Sequence, residues 1–182
     1  TGETQSSALM VMALHAIGVD AISLSGAQAG MRTDSVHRNA RILAIEPRRV
    51  REEVDRGRVV IVAGFQGLTE AMDVATIGRG GSDTTAVALA VRFGCPWCEI
   101  FTDVQGVMTA DPRIVKNARP LPEPTHSEAA ELAYFGAKVL HPKTMLPAID
   151  RGIPVLILNS RRPQVEGTRI VSGAVASKNV VK

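Results

Sequence analysis

The stretch Thr76-Ile77-Gly78-Arg79-Gly80-Gly81-Ser82-Asp83-Thr84-Thr85 follows a β-branched run, Val59-Val60-Ile61-Val62-Ala63, and leads into Ala86-Val87-Ala88-Leu89-Ala90-Val91. A strand, a glycine-rich loop and an apolar helix in that order constrain the fold more than any other feature of the chain. Glycines let a backbone approach a ligand closely, and the unpaired N–H groups at a helix start, aided by the dipole, suit an anion. Ser82 and Asp83 are N-cap residue types, and Arg79 stands where a forked cation can grip a carboxylate or phosphate. A capped helix after a flexible loop would use the same glycines, but an arginine set among Gly78, Gly80 and Gly81 favours anion binding.

Two common phosphate motifs are excluded. A P-loop ends in Gly-Lys-Ser/Thr, which does not occur, and a dinucleotide fingerprint begun at Gly78 and Gly80 would need glycine at position 83, which is Asp83. The protein-kinase signatures His-Arg-Asp and Asp-Phe-Gly are missing as well.

The rest of the chain reads as alternating helices and strands. Residues 4–17 predict a helix with Gly18 as its C′ cap, and Asp20–Leu24 a strand. A polar loop then runs through Gly26, Gly30 and Asn39 to a strand at Arg41–Ile45. Pro47 suits a first helical position for a helix closed at Gly57, with Val50 and Val54 on one face. Strands at 59–63, 98–102 and 155–158 and helices at 83–93, 127–134 and 142–150 complete the pattern. Such alternation indicates a mostly parallel sheet covered on both faces, with ligands bound beyond the carboxyl ends of the strands.

Composition narrows the function. With 45% hydrophobic and 21% charged residues the 182-residue chain is globular, long enough to bury roughly 70% of its unfolded surface. The net charge of +3 resides in arginines interleaved with acids at Arg48–Arg56, and aromatics make up only 3%, so neither a basic patch nor stacking rings argue for nucleic acid. No apolar run is long enough to cross a bilayer, and no signal-peptide pattern is present, so an intracellular, cytoplasmic location is expected. Cys95-Pro96-Trp97-Cys98 follows a helix and enters a strand, opposite to the order in thiol oxidoreductases, and is read as packing.

Two further constellations carry chemistry: Phe101-Thr102-Asp103-Val104-Gln105-Gly106-Val107-Met108-Thr109-Ala110-Asp111-Pro112-Arg113 and Tyr134-Phe135-Gly136-Ala137-Lys138-Val139-Leu140-His141-Pro142. Together with the glycine loop, these resemble the aspartate kinases of the amino acid kinase family over residues 1–173. The resemblance implies a three-layer αβα sandwich with a mostly parallel central sheet, and phosphorylation of the β-carboxylate of L-aspartate by ATP with Mg²⁺, the first step of lysine, threonine and methionine biosynthesis. Under it, Glu3 meets the substrate ammonium, Arg79 a substrate carboxylate, and Gly80, Gly81, Ser82 and Asp83 line the acceptor and phosphate site. Asp83 would orient either a lysine or a metal. Thr102, Asp103, Met108, Thr109, Ala110, Asp111, Pro112 and Arg113 match the nucleotide segment, with Met108 where the family often has tyrosine. Lys138 is similar to the lysine that reaches ATP. Glu166-Gly167-Thr168-Arg169-Ile170 looks like the close of the catalytic domain, and residues 174–182 like entry into a regulatory ACT domain. The family's opening strand and its Lys-x-Gly-Gly loop have no counterpart here, so the chain is read as a piece of a longer, oligomeric enzyme and is expected to be inactive alone. The alternatives are a sister kinase acting on acetylglutamate or a nucleoside monophosphate, and a non-catalytic nucleotide-binding fragment.

Overall fold

The computed structural model describes residues 2–111, 113–134 and 140–173. The chain divides into two compact units, Thr1–Thr85 and Ala86–Lys182.

The first unit opens with α1 (Gly2–Ala16), followed by β1 (Ala21–Leu24), β2 (Met31–Thr33), β3 (Ile42–Ile45), α2 (Arg48–Asp55), β4 (Val59–Val62), β5 (Gln66–Leu68) and β6 (Val74–Thr76). The β-branched run forms β4, which pairs in parallel with β1 in register from Ala21↔Val59 to Leu24↔Val62. A second sheet has the order β3-β2-β5-β6. Its β2–β3 and β5–β6 pairs are antiparallel, and β2 and β5 meet in parallel. Helices α1 and α2 end alike. Gly18 (φ 81°) and Gly57 (φ 80°) adopt the left-handed conformation. Their N–H groups bond His15 O and Val54 O, and the next residues reach back to Leu14 O and Glu53 O. This Schellman arrangement satisfies carbonyls that the helix cannot.

Differences from the sequence reading in this unit have local causes. Pro47 is the N-cap of α2, not its first residue. Val50 is buried but Val54 is 53% exposed, because the enclosed partner of Val50 on α2 is Glu53. The Glu53 carboxylate accepts from Arg58 Nη1 at 2.9 Å, Arg49 Nη2 at 2.9 Å and Arg56 Nη1 at 3.1 Å, which is how a fully enclosed acid is tolerated. The loop expected through residues 26–39 contains β2, whose Met31 and Thr33 turn inward.

The second unit holds most of α3 (Gly81–Phe93), then β7 (Cys98–Thr102), α4 (His126–Tyr134), α5 (Pro142–Arg151), β8 (Val155–Asn159) and β9 (Thr168–Ile170). Strands β7 and β8 run parallel from Cys98↔Val155 to Thr102↔Asn159, and β9 adds antiparallel to β8. Alternation along β8 sends Val155, Ile157 and Asn159 inward. The core joins Val87, Cys98, Ile100, Met145, Val155, Ile157 and Ile170. Cys98 is part of it, Cys95 packs against it, and neither forms a disulfide, in keeping with a packing role. The chain is α/β, with parallel pairing in its two longest ladders and antiparallel pairing among short neighbouring strands. Among the described residues no helix is long and apolar enough to cross a membrane.

Candidate active site

In the first unit, the glycine loop runs from β6 into α3. Gly78 (φ 90°) and Gly80 (φ 68°) are left-handed, which swings the chain sharply between strand and helix. A Cβ on Gly78 would come within 3.0 Å of Arg38 O, and one on Gly81 within 2.7 Å of the Phe65 ring, so the loop is packed from two sides. Its neighbours fix it further: Thr76 Oγ1 donates to His37 O at 3.0 Å, and Thr84 Oγ1 donates to Gly80 O at 2.9 Å.

Helix α3 begins at Gly81, so Ser82 and Asp83 lie in its first turn and do not cap it. Ser82 is exposed, and Asp83 is half-buried, with burial pushing its carboxyl above the ordinary value. Arg79 is exposed, and among the described residues no carboxylate pairs with it. An uncommitted guanidinium beside the first N–H groups of a helix is the arrangement that receives an anion. Glu3 stands in the first turn of α1, where its carbonyl accepts from Ser7 Oγ at 2.7 Å.

In the second unit, Thr102 ends β7 and Asp103 follows it at the carboxyl edge of the ladder. Thr102 Oγ1 donates to Asp103 Oδ1 at 3.2 Å, and Asn159 Nδ2 donates to Asp103 O at 3.3 Å. The segment then folds back on itself: Thr109 N donates to Arg119 O, Arg119 N donates to Thr109 Oγ1, and Met108 bridges Pro120. Ala110 is half-buried. Asp111 and Arg113 form a fork, with Nε donating to Oδ1 at 3.0 Å and Nη2 to Oδ2 at 2.7 Å. That pairing holds the Arg113 guanidinium above its ordinary range, so one of the two carboxylates in this constellation is spent on the arginine. Pro112 and Lys138 lie outside the described residues.

Three residues outside the expected site support these segments. Thr168 Oγ1 accepts Val107 N at 2.8 Å and donates to Leu121 O at 2.7 Å. Asn159 also accepts the amides of Arg161 and Arg162. Phe65 lies against Gly81 with a left-handed backbone, φ 69°. A polar residue closing an apolar strand, as Asn159 does, was the one available signal. Thr168 was marked only as part of the closing stretch Glu166–Ile170, without this role, and Phe65 had no signal without the fold.

The model of the amino acid kinase family matches residues 1–159. An aspartokinase of Geobacillus stearothermophilus is 51% identical over 160 residues, 88% of this chain and 39% of that protein. Aspartokinase 2 of Bacillus subtilis is 45% identical over 181 residues, 100% of this chain and 44% of that protein. The chain thus spans about two fifths of the length of these curated relatives. Among solved structures, E. coli aspartokinase III in complex with aspartate and ADP superposes with a TM-score of 0.87 at 38% identity, over 95% of this chain and 39% of that one. Aspartate kinase from Synechocystis gives 0.80 at 40% identity, over 99% and 29%. With the family model matched over residues 1–159 and relatives about half identical across most of its length, this chain belongs to the amino acid kinase family.

Proposed function

We propose that the chain is the catalytic portion of an enzyme that transfers the γ-phosphoryl group of ATP to the β-carboxylate of L-aspartate. The observation that carries this reading is Arg79: a cation without a carboxylate partner among the described residues, held by left-handed glycines at the start of α3. The similar E. coli structure binds aspartate and ADP, the acceptor and one product of that reaction.

The acceptor carboxylate is ionised at neutral pH, with a pKa near ~4, so no strong base has to make the nucleophile. The task is to hold two anions together and neutralise charge as it shifts. In this reading Arg79 takes a carboxylate of aspartate and Glu3 its ammonium. The α3 N–H groups and Gly80–Ser82 face phosphate oxygens, and Asp83 orients a cation at that site. Thr102, Asp103 and the folded segment through Arg113 hold the nucleotide, with Lys138 on its phosphates. The substrate is MgATP, and the ion supplies charge neutralisation on the phosphates.

The test is Arg79→Ala in the full-length protein. Aspartate recognition should weaken by about 1.5–3 kcal/mol, the range for a hydrogen bond to a charged group. An unchanged KM for aspartate would overturn the assignment. Acetylglutamate as a competing acceptor separates the sister-kinase reading, because an acetylated amine leaves Glu3 nothing to pair with.

A further inference from the structure

Phe65 occupies the turn between β4 and β5 in a left-handed conformation that bulky side chains rarely adopt. Such a conformation persists only where its surroundings over-determine it, and it is found most often beside functional sites. Both backbone polar groups of Phe65 are committed to the flanks of the glycine loop. Its carbonyl accepts Ile77 N at 3.0 Å, on the strand side. Its N–H donates to Thr85 Oγ1 at 3.2 Å, on the helix side. The Thr85 hydroxyl then donates to Gly81 O at 2.7 Å. Thr85 is 2% exposed, and Gly64 leaves only enough room for its Cβ and the Ser82 backbone. One strained residue therefore grips residues 77 and 85 at once, and the Thr85 hydroxyl is the joint through which it does so.

We propose that Thr85 is a positioning residue: its hydroxyl locks the Phe65 backbone to the first turn of α3 and so keeps Arg79 and Ser82 in the geometry that receives the acceptor's carboxylate. The inference rests on the assignment of Arg79 to the acceptor amino acid. Valine at position 85 has nearly the same shape but would leave the part-buried Phe65 N–H without its partner. The least costly relief is for Phe65 to leave the left-handed region, drawing Ile77 and Gly81 with it. A loop that must be re-ordered by its ligand binds that ligand more weakly.

The experiment compares Thr85→Val, Thr85→Ser and Arg79→Ala in the full-length protein, with KM for aspartate, KM for MgATP, kcat and melting temperature measured for each. Thr85→Val should raise the aspartate KM about tenfold, the loss expected from one unsatisfied part-buried donor. The KM for MgATP should rise by a clearly smaller factor than that for aspartate, since Gly80–Ser82 also face phosphate, and Thr85→Ser, which keeps the hydroxyl, should restore aspartate binding. If Arg79→Ala raises the aspartate KM and Thr85→Val does not, the joint is refuted while the site stands. Equal rises in both KM values that follow the loss of melting temperature and are not rescued by serine also refute it. If Arg79→Ala leaves the aspartate KM unchanged, the site assignment falls and takes this proposal with it.

Discussion

Val107 and Thr168, 61 residues apart, are joined by a 2.8 Å hydrogen bond from the amide of the first to the hydroxyl of the second. Thr168 is 1% exposed and donates its own hydrogen bond to Leu121 O, so a single side chain ties Val107 to Leu121. Thr168→Val should cost about 1–3 kcal/mol in urea unfolding, since it strands the Val107 donor. It should also weaken MgATP binding by calorimetric titration, with Thr168→Ser close to wild type.

Glu53 gives a prediction in acid. The hydrogen bond from Arg58, with the charges of Arg49, Arg56 and Arg58, outweighs burial and holds its carboxyl below the ordinary 4.5. The folded state therefore binds fewer protons than the unfolded state just below pH 4.5, and the stabilisation is full above that value and lost as pH falls through the lowered pKa. Glu53→Gln should melt lower at pH 7, because it leaves three guanidinium groups without their anion, and should show a shallower decline between pH 5 and pH 3 on the order of the change expected for one carboxylate.

His126 predicts a second pH effect of a different origin. Its Nε2–H donates to Ile153 O at 2.9 Å, while Nδ1 faces Ser172 Oγ at 3.4 Å. Burial pulls the imidazole below its ordinary 6.5, partly offset by the Ile153 carbonyl. Below pH 6.5 the unfolded chain takes up a proton that the folded chain resists, so stability falls as pH drops from 6.5 toward the lowered pKa. Melting temperatures at pH 7.5 and 5.5 should differ less in His126→Gln than in the wild type.

Gly80 tests the loop directly. At φ 68° an alanine there pays the left-handed penalty of about 1–2 kcal/mol. Gly80→Ala should lower the melting temperature modestly and lower kcat/KM for aspartate by a larger factor than stability alone explains, as read by steady-state kinetics at a temperature where the variant is fully folded.

How much of this was legible in the sequence depends on the range of the forces involved. The strand at 98–102 and the helices around 83–93 and 142–150 are set by local apolar patterning and glycine caps, and they stand close to where the sequence puts them. The short strands β2, β5, β6 and β9 were missed because three residues are too few to show alternation, and their pairing partners, not their composition, make them strands. In the candidate site, Arg79, Ser82 and Asp83 could be picked out because glycine spacing and side-chain chemistry are local. The self-pairing of Asp111 with Arg113 was not foreseen, because a two-residue spacing is compatible with either a fork or two separate charges. Phe65, Thr85 and Thr168 act through contacts that only the folded chain creates.

The Thr168 anchor has a consequence for how the chain is made. Its hydroxyl reaches the Val107 amide across 61 residues, so the intervening segment cannot be pinned until translation has passed position 168. At roughly 5–20 residues per second, that interval is about 3–12 s. For that interval the chain after Val107 lacks its Thr168 anchor, and a ribosomal pause between these two codons would lengthen the interval by the length of the pause.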